Sequence, residues 1–154
     1  MGETTVVFVR HGDRPRPKDK ITPLGRAQAR VIGAWLADQG YDPDLFVHTR
    51  TVRTRETLEG VAEAMGSAAP IRPVPGGFQD FAGLERVVAG ETGLVVFCAH
   101  HPMQGFLQRT FQLPMTAADR GVVVLRSVDG AWSLVTAARC EAGLDPPTVE
   151  VLST

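Results

Sequence analysis

Two short apolar runs constrain this chain more than any other feature. TTVVFV (4–9) and GLVVFCAH (93–100) are continuous, rich in β-branched residues and of strand length. A strand with no polar face must be covered on both sides, which is the situation of a strand inside a parallel sheet flanked by helices. The segments between and around these runs supply such helices.

ITPLGRAQARVIGAWLADQG (21–40) reads as one helix. Thr22 suits the N-cap and Pro23 the first helical position. Leu24, Ala27, Val31 and Trp35 are expected on the core face, beside Ile32 and Leu36, and Gly40 is placed to stop the helix. DLFVHT (44–49) reads as a second strand and residues 51–65 as a second helix, carrying Thr54, Thr57, Leu58, Val61, Ala62 and Met65 at helical spacing before Gly66. IRPVPGG is a short strand and loop, residues 81–89 a short helix, and the segment from Pro102 a further helix. GVVVLRS and WSLVTAA form a late strand pair around the hairpin signal Asp129–Gly130. The expected fold class is α/β: one three-layer α/β/α domain over residues 1–154 with a mostly parallel central sheet.

Composition sets broad limits. A chain of 154 residues with 44% hydrophobic residues can bury one sizeable core. A net charge of −1 points to neither nucleic acid nor an anionic membrane. With no long apolar segment, the chain reads as a cytoplasmic protein. Its oligomeric state stays open, a monomer being the simplest expectation. The cysteines, Cys98 and Cys140, have no zinc-type spacing, and Cys98 reads as a small core residue. The basic residues are 14 Arg against 2 Lys. That excess fits a compositional bias, but it also supplies planar donor forks that match phosphate.

The chemistry gathers where strands end. In open α/β sheets, ligands sit beyond the carboxyl ends of the strands. The first strand delivers Arg10, His11, Gly12, Asp13 and Arg14; the second His48, Arg50 and Arg53; the 93–100 run His100 and His101. Parallel neighbours would set these exits on one rim, with helix N-termini adding positive potential. Arginine forks can bind a phosphoryl group and offset its charge in the transition state. A neutral imidazole can attack phosphorus to give a phosphohistidine. Gly12 would let the backbone pass close to such a ligand.

These residues resemble those of the histidine phosphatase superfamily, also called phosphoglycerate mutase-like. Arg10-His11-Gly12 after an apolar strand is similar to its RHG signature. Residues 21–29 resemble its LTxxGxxQA segment, residues 49–57 its SPxxRAxQT segment, and residues 99–105 its SHxxxxG segment. The four occur in order over residues 4–110, and the short chain looks most like SixA-type phosphohistidine phosphatases. The resemblance implies that His11 is the nucleophile and that Arg10, Arg53 and His100 line the phosphate pocket. It implies no metal and no cofactor. Gly12, Arg14, Thr22, Arg50 and His101 are further candidates for substrate contact. For Arg14 and Arg50 the alternative is a solvated charge, for His101 a structural role, and His48 reads as a strand-end residue.

The chain departs from the family pattern in two places. Thr49-Arg50 stands where relatives carry Ser-Pro. Many relatives place a Glu proton donor after the third strand, whereas residues 75–80 here read Pro-Gly-Gly-Phe-Gln-Asp. Asp80 and Asp13 are the candidate acids. A phosphoramidate needs less acid assistance than an alkyl phosphate, so the expected function is a phosphatase acting on protein phosphohistidine. A small-molecule phosphomonoesterase (sugar phosphate or nucleotide) and a catalytically weak phospholigand-binding module are the alternatives. A metallohydrolase using His11, Asp13, His100 and His101 is disfavoured by the surrounding arginines. The expected partner is a phosphorylated protein or small phosphoester, with neither nucleic acid nor membrane.

Overall fold

The computed structural model describes residues 3–10, 20–74, 93–99, 121–129, 131–141 and 148–153. The elements are β1 (Glu3–Arg10), α1 (Pro23–Asp38), β2 (Leu45–His48), α2 (Val52–Met65), β3 (Ile71–Pro73), β4 (Gly93–Ala99), β5 (Gly121–Val128), β6 (Ala131–Glu141) and β7 (Thr148–Ser153). The strands form one sheet in the order β3-β2-β4-β1-β5-β6-β7. Four of them, β1 to β4, are mutually parallel. β5 runs against β1, β6 against β5 and β7 against β6, so β6 points the same way as β1. The α/β architecture with a mostly parallel sheet is thus observed, with an antiparallel extension built from the late hairpin. The short helices expected at 81–89 and from Pro102 lie outside the described residues.

The two apolar runs pair directly with each other. β1 and β4 are parallel neighbours, with Val6 opposite Val95 and Phe8 opposite Phe97. The rings of Phe8 and Phe97 stack, their centroids 6.1 Å apart. Alternation along the strands splits the core in two. Val7, Val9, Phe46, Val96 and Cys98 pack with Ile32, Leu36, Leu58 and Val61 of the two helices. Val6, Phe8, Val47, Val95, Phe97 and Leu125 form the opposite cluster and are equally buried. Both faces of the sheet therefore carry buried side chains, and the two described helices lie on the face of the Val7 cluster.

The helix ends follow their sequence signals. The Thr22 hydroxyl accepts from the Gly25 amide at 3.0 Å, and Pro23 opens α1. Thr51 caps α2 in the same way, through the Thr54 amide. Gly66 closes α2 in the left-handed conformation, φ 65°, which has no steric cost for glycine.

The buried stripe of α1 differs from the expected one. Leu24 is exposed and Ala27 and Val31 are half-buried, whereas Gly25, Ala29, Ile32, Gly33, Trp35 and Leu36 are buried. Small residues explain the shift. A Cβ on Gly33 would lie 2.6 Å from the Val61 carbonyl oxygen, and one on Gly60 would lie 2.9 Å from the Ala29 Cβ. The two helices thus approach through glycine and alanine, and a reading weighted by large apolar residues misses that face. No helix among the described residues is long and apolar enough to cross a membrane.

Candidate functional site

Strand register assembles the candidate site. The last paired residues of β1 and β4 are Arg10 and Ala99, opposite each other in parallel register. His11 and His100 are the next residues in the sequence. On the other side of β4 lies β2, with His48 opposite Cys98 and the Thr49 amide donating to the Cys98 carbonyl at 3.2 Å. The carboxyl ends of β1, β4 and β2 therefore sit side by side on one rim, and α2 begins at that rim. Arg10 is described as the last residue of β1, while His11, Gly12, Asp13, Arg14, Asp80, His100 and His101 lie outside the described residues.

Arg53 stands in the first turn of α2, half-buried, with its Nε fully buried. A buried guanidinium nitrogen at a strand-to-helix turn on this rim differs from the solvated arginine of an ordinary helix surface. Arg50 and Arg55, by contrast, are exposed. Thr22 is half-buried and its hydroxyl oxygen receives the cap bond of α1, a structural role alongside its candidacy as a substrate contact.

The turn leading to Arg53 is held by threonines, of which the sequence reading sets Thr54 and Thr57 at helical spacing and Thr49 at the position of the motif's serine. Thr49, Thr54 and Thr57 are fully buried. The Thr49 carbonyl oxygen receives the Thr54 hydroxyl at 2.7 Å, the His48 Nδ1–H at 2.7 Å and the Thr51 amide at 2.7 Å. Because a carbonyl can only accept, His48 carries its proton on Nδ1 in this arrangement. That bond gives the strand-end histidine a structural role. Thr57 donates to the Arg53 carbonyl at 2.7 Å and so fixes the same turn from the following one.

A second tie joins the two helices beside the rim. Glu56 accepts from the Ile21 amide at 3.1 Å and from the Arg26 guanidinium at 2.9 Å. Glu56 was not singled out from the sequence, because its partners lie 35 and 30 positions away. Such long-range pairing leaves no local pattern.

The rim thus combines a half-buried arginine, a helix N-terminus and neighbouring strand ends that continue into His11 and His100. A site of this composition suits an anion.

The family model described as histidine phosphatase superfamily (branch 1) matches residues 6–76. No curated protein sequence matches the chain. Among solved structures, SixA from Agrobacterium tumefaciens superposes with a TM-score of 0.67 at 23% identity, over 86% of this chain and 96% of that one. A protein histidine phosphatase SixA complexed with tungstate gives 0.69 at 19% identity, over 86% and 95%. A mycobacterial glucosyl-3-phosphoglycerate phosphatase gives 0.59 at 17% identity, over 86% and 97%. At these identities the likenesses are likenesses of fold.

Proposed function

We propose that the chain is a member of the histidine phosphatase superfamily, whose model matches residues 6–76, and that it is a metal-independent phosphatase working through a phosphohistidine on His11, with phosphohistidine in proteins as its substrate. The observation that carries this reading is the parallel pairing of Arg10 with Ala99, which brings together the strand ends from which His11 and His100 follow. Arg53, half-buried at the neighbouring exit, supplies a guanidinium for the same anion.

In the proposed reaction a neutral imidazole nitrogen of His11 attacks phosphorus. The bond from phosphorus to the leaving group breaks, its electron pair departs with the leaving group, and a proton goes to that atom. Arg10, Arg53 and His100 offset charge on the phosphoryl oxygens. Water then attacks the phosphohistidine, the phosphorus–nitrogen bond breaks, and inorganic phosphate and neutral His11 result. Asp80 or Asp13 would give the leaving group its proton and take one back from the attacking water.

The substrate class rests on two supports. Residues 75–80 contain no glutamate, and a phosphoramidate leaving group demands little of an acid. The chain is also matched over nearly the full length of the compact SixA structures. A small-molecule phosphomonoesterase is the second reading, favoured by the likeness to the glucosyl-3-phosphoglycerate phosphatase fold.

The test is a comparison of kcat/KM for a protein carrying phosphohistidine, an aryl phosphate and a panel of sugar phosphates and nucleotides, each with and without a strong chelator. The reading expects phosphohistidine to lead and the chelator to leave the rates unchanged. A sugar phosphate or nucleotide in the lead would favour the second reading. Loss of activity with chelator would favour a metallohydrolase. Binding of inorganic phosphate without turnover of any substrate would leave a phospholigand-binding module.

A further inference from the structure

The turn between β2 and α2 contains a network of hydroxyl groups that its motif does not call for. The segment resembles SPxxRAxQT, with proline at the position of Arg50 and alanine at that of Thr54. A proline there would fix its own φ and hold the preceding residue extended, stiffening the approach to the arginine. Arg50 does neither: it is exposed, and among the described residues its amide donates to no backbone carbonyl.

Thr54 has what alanine lacks. Its hydroxyl is fully buried and saturated. It donates to the Thr49 carbonyl at 2.7 Å, with the Thr51 carbonyl 3.1 Å away. It meets the Thr51 hydroxyl at 2.8 Å and receives the Thr49 hydroxyl at 3.3 Å. One side chain thus ties the last residue before the turn, the helix cap and the first helical turn together. A buried polar network with every member satisfied is rigid, because any displacement leaves a desolvated group without its bond.

We propose that Thr54 is a positioning residue that holds Arg53 for the phosphoryl group, the hydroxyl clamp taking over the stiffening that a proline at position 50 would provide. This rests on the proposed role of Arg53 as a phosphate ligand. Thr54 itself touches no substrate and acts through the backbone on either side of Arg53.

The test uses the full chain and the variants Thr54→Val, which keeps the shape and removes the hydroxyl, and Thr54→Ser, which keeps the hydroxyl. Thr49→Val removes one donor of the clamp and serves if Thr54→Val does not fold. Vanadate and inorganic phosphate affinity are measured together with kcat/KM for an aryl phosphate and the thermal midpoint. The expected result is a loss of about tenfold in phosphate affinity and kcat/KM for the valine variants, the scale on which a slightly misplaced binding group is felt, with Thr54→Ser close to wild type. A merely structural hydroxyl would lower the thermal midpoint and leave phosphate affinity unchanged, and that result overturns the clamp. A folded Thr54→Ser as impaired as Thr54→Val overturns it equally. Wild-type protein that binds neither anion would overturn the phosphatase reading itself, and the clamp's function with it.

Discussion

Arg10 and Ala99 close β1 and β4 as opposite residues of a parallel pair. A one-residue slip between these strands would turn every side chain of one strand to the other face, exchanging the two clusters that hold Phe8 and Val7. Register is therefore held by the core, including the stacked pair Phe8 and Phe97. The same register fixes which residues leave the sheet together. The juxtaposition of strand ends at the candidate site is in that sense a consequence of how the apolar strands pack.

The Glu56 tie gives a stability prediction. Arg26 is half exposed, so its ion pair with Glu56 contributes little in solvent. The Ile21 amide is the partner that matters, being part-buried and dependent on the carboxylate. Glu56→Ala should cost about 1.5–3 kcal/mol in denaturant unfolding, the scale of losing a hydrogen bond to a charged acceptor. Arg26→Ala should cost under about 1 kcal/mol. Equal losses for the two variants would contradict this ordering.

Gly33 gives a second. Alanine at a mid-helix position normally gains about 1 kcal/mol over glycine. Here the new Cβ would lie 2.6 Å from the Val61 carbonyl oxygen and 2.8 Å from the Ala64 Cβ. Backbone cannot step aside as a flexible side chain can, and overpacking of this kind costs about 1–3 kcal/mol. Gly33→Ala should therefore lower stability despite its better helix propensity. A raised thermal midpoint would refute the close approach of α1 and α2.

Tyr41 predicts an alkaline limb. Burial pushes its hydroxyl above the ordinary tyrosine value, with Arg126 acting in the opposite direction. The unfolded chain then releases this proton first as pH rises. The stabilisation is complete below the unfolded value of about 10 and is lost as pH climbs through the folded one. Tyr41→Phe should flatten stability against pH in that range. An unchanged profile would assign the alkaline loss to other groups.

The proposed nucleophile predicts an acid limb for catalysis. On that proposal His11 attacks unprotonated, so kcat/KM should fall as decreasing pH protonates the imidazole. A rate that stayed flat from about pH 5 to pH 8 would count against an imidazole nucleophile.

Much of this was legible in the sequence, for a physical reason. β1 and β4 were visible because strands covered on both faces leave no polar alternation. Thr22, Pro23 and Gly66 mark helix ends because the cap bond and the left-handed turn are local. The buried face of α1 was misjudged because glycine and alanine pack by their smallness, which a hydropathy pattern does not register. β7 went unread although Val149 and Val151 alternate with polar residues, since one short alternating stretch after two prolines carries little signal. In the candidate site, the place of Arg53 at the start of a helix was legible from its motif. The Glu56 tie was not, because it depends on residues brought together by the fold, and the Thr54 clamp became visible only when hydroxyl and carbonyl positions were known.

The central claim is that the phosphoryl group passes through His11. The most direct measurement is to mix the protein with a radiolabelled phosphoryl donor, quench under alkaline conditions that preserve phosphohistidine, and map the label by peptide mass spectrometry. The account predicts label on the peptide containing His11, turning over with the substrate and absent in His11→Ala. Turnover with label on another residue, or a His11→Ala variant hydrolysing at the wild-type rate, would contradict it.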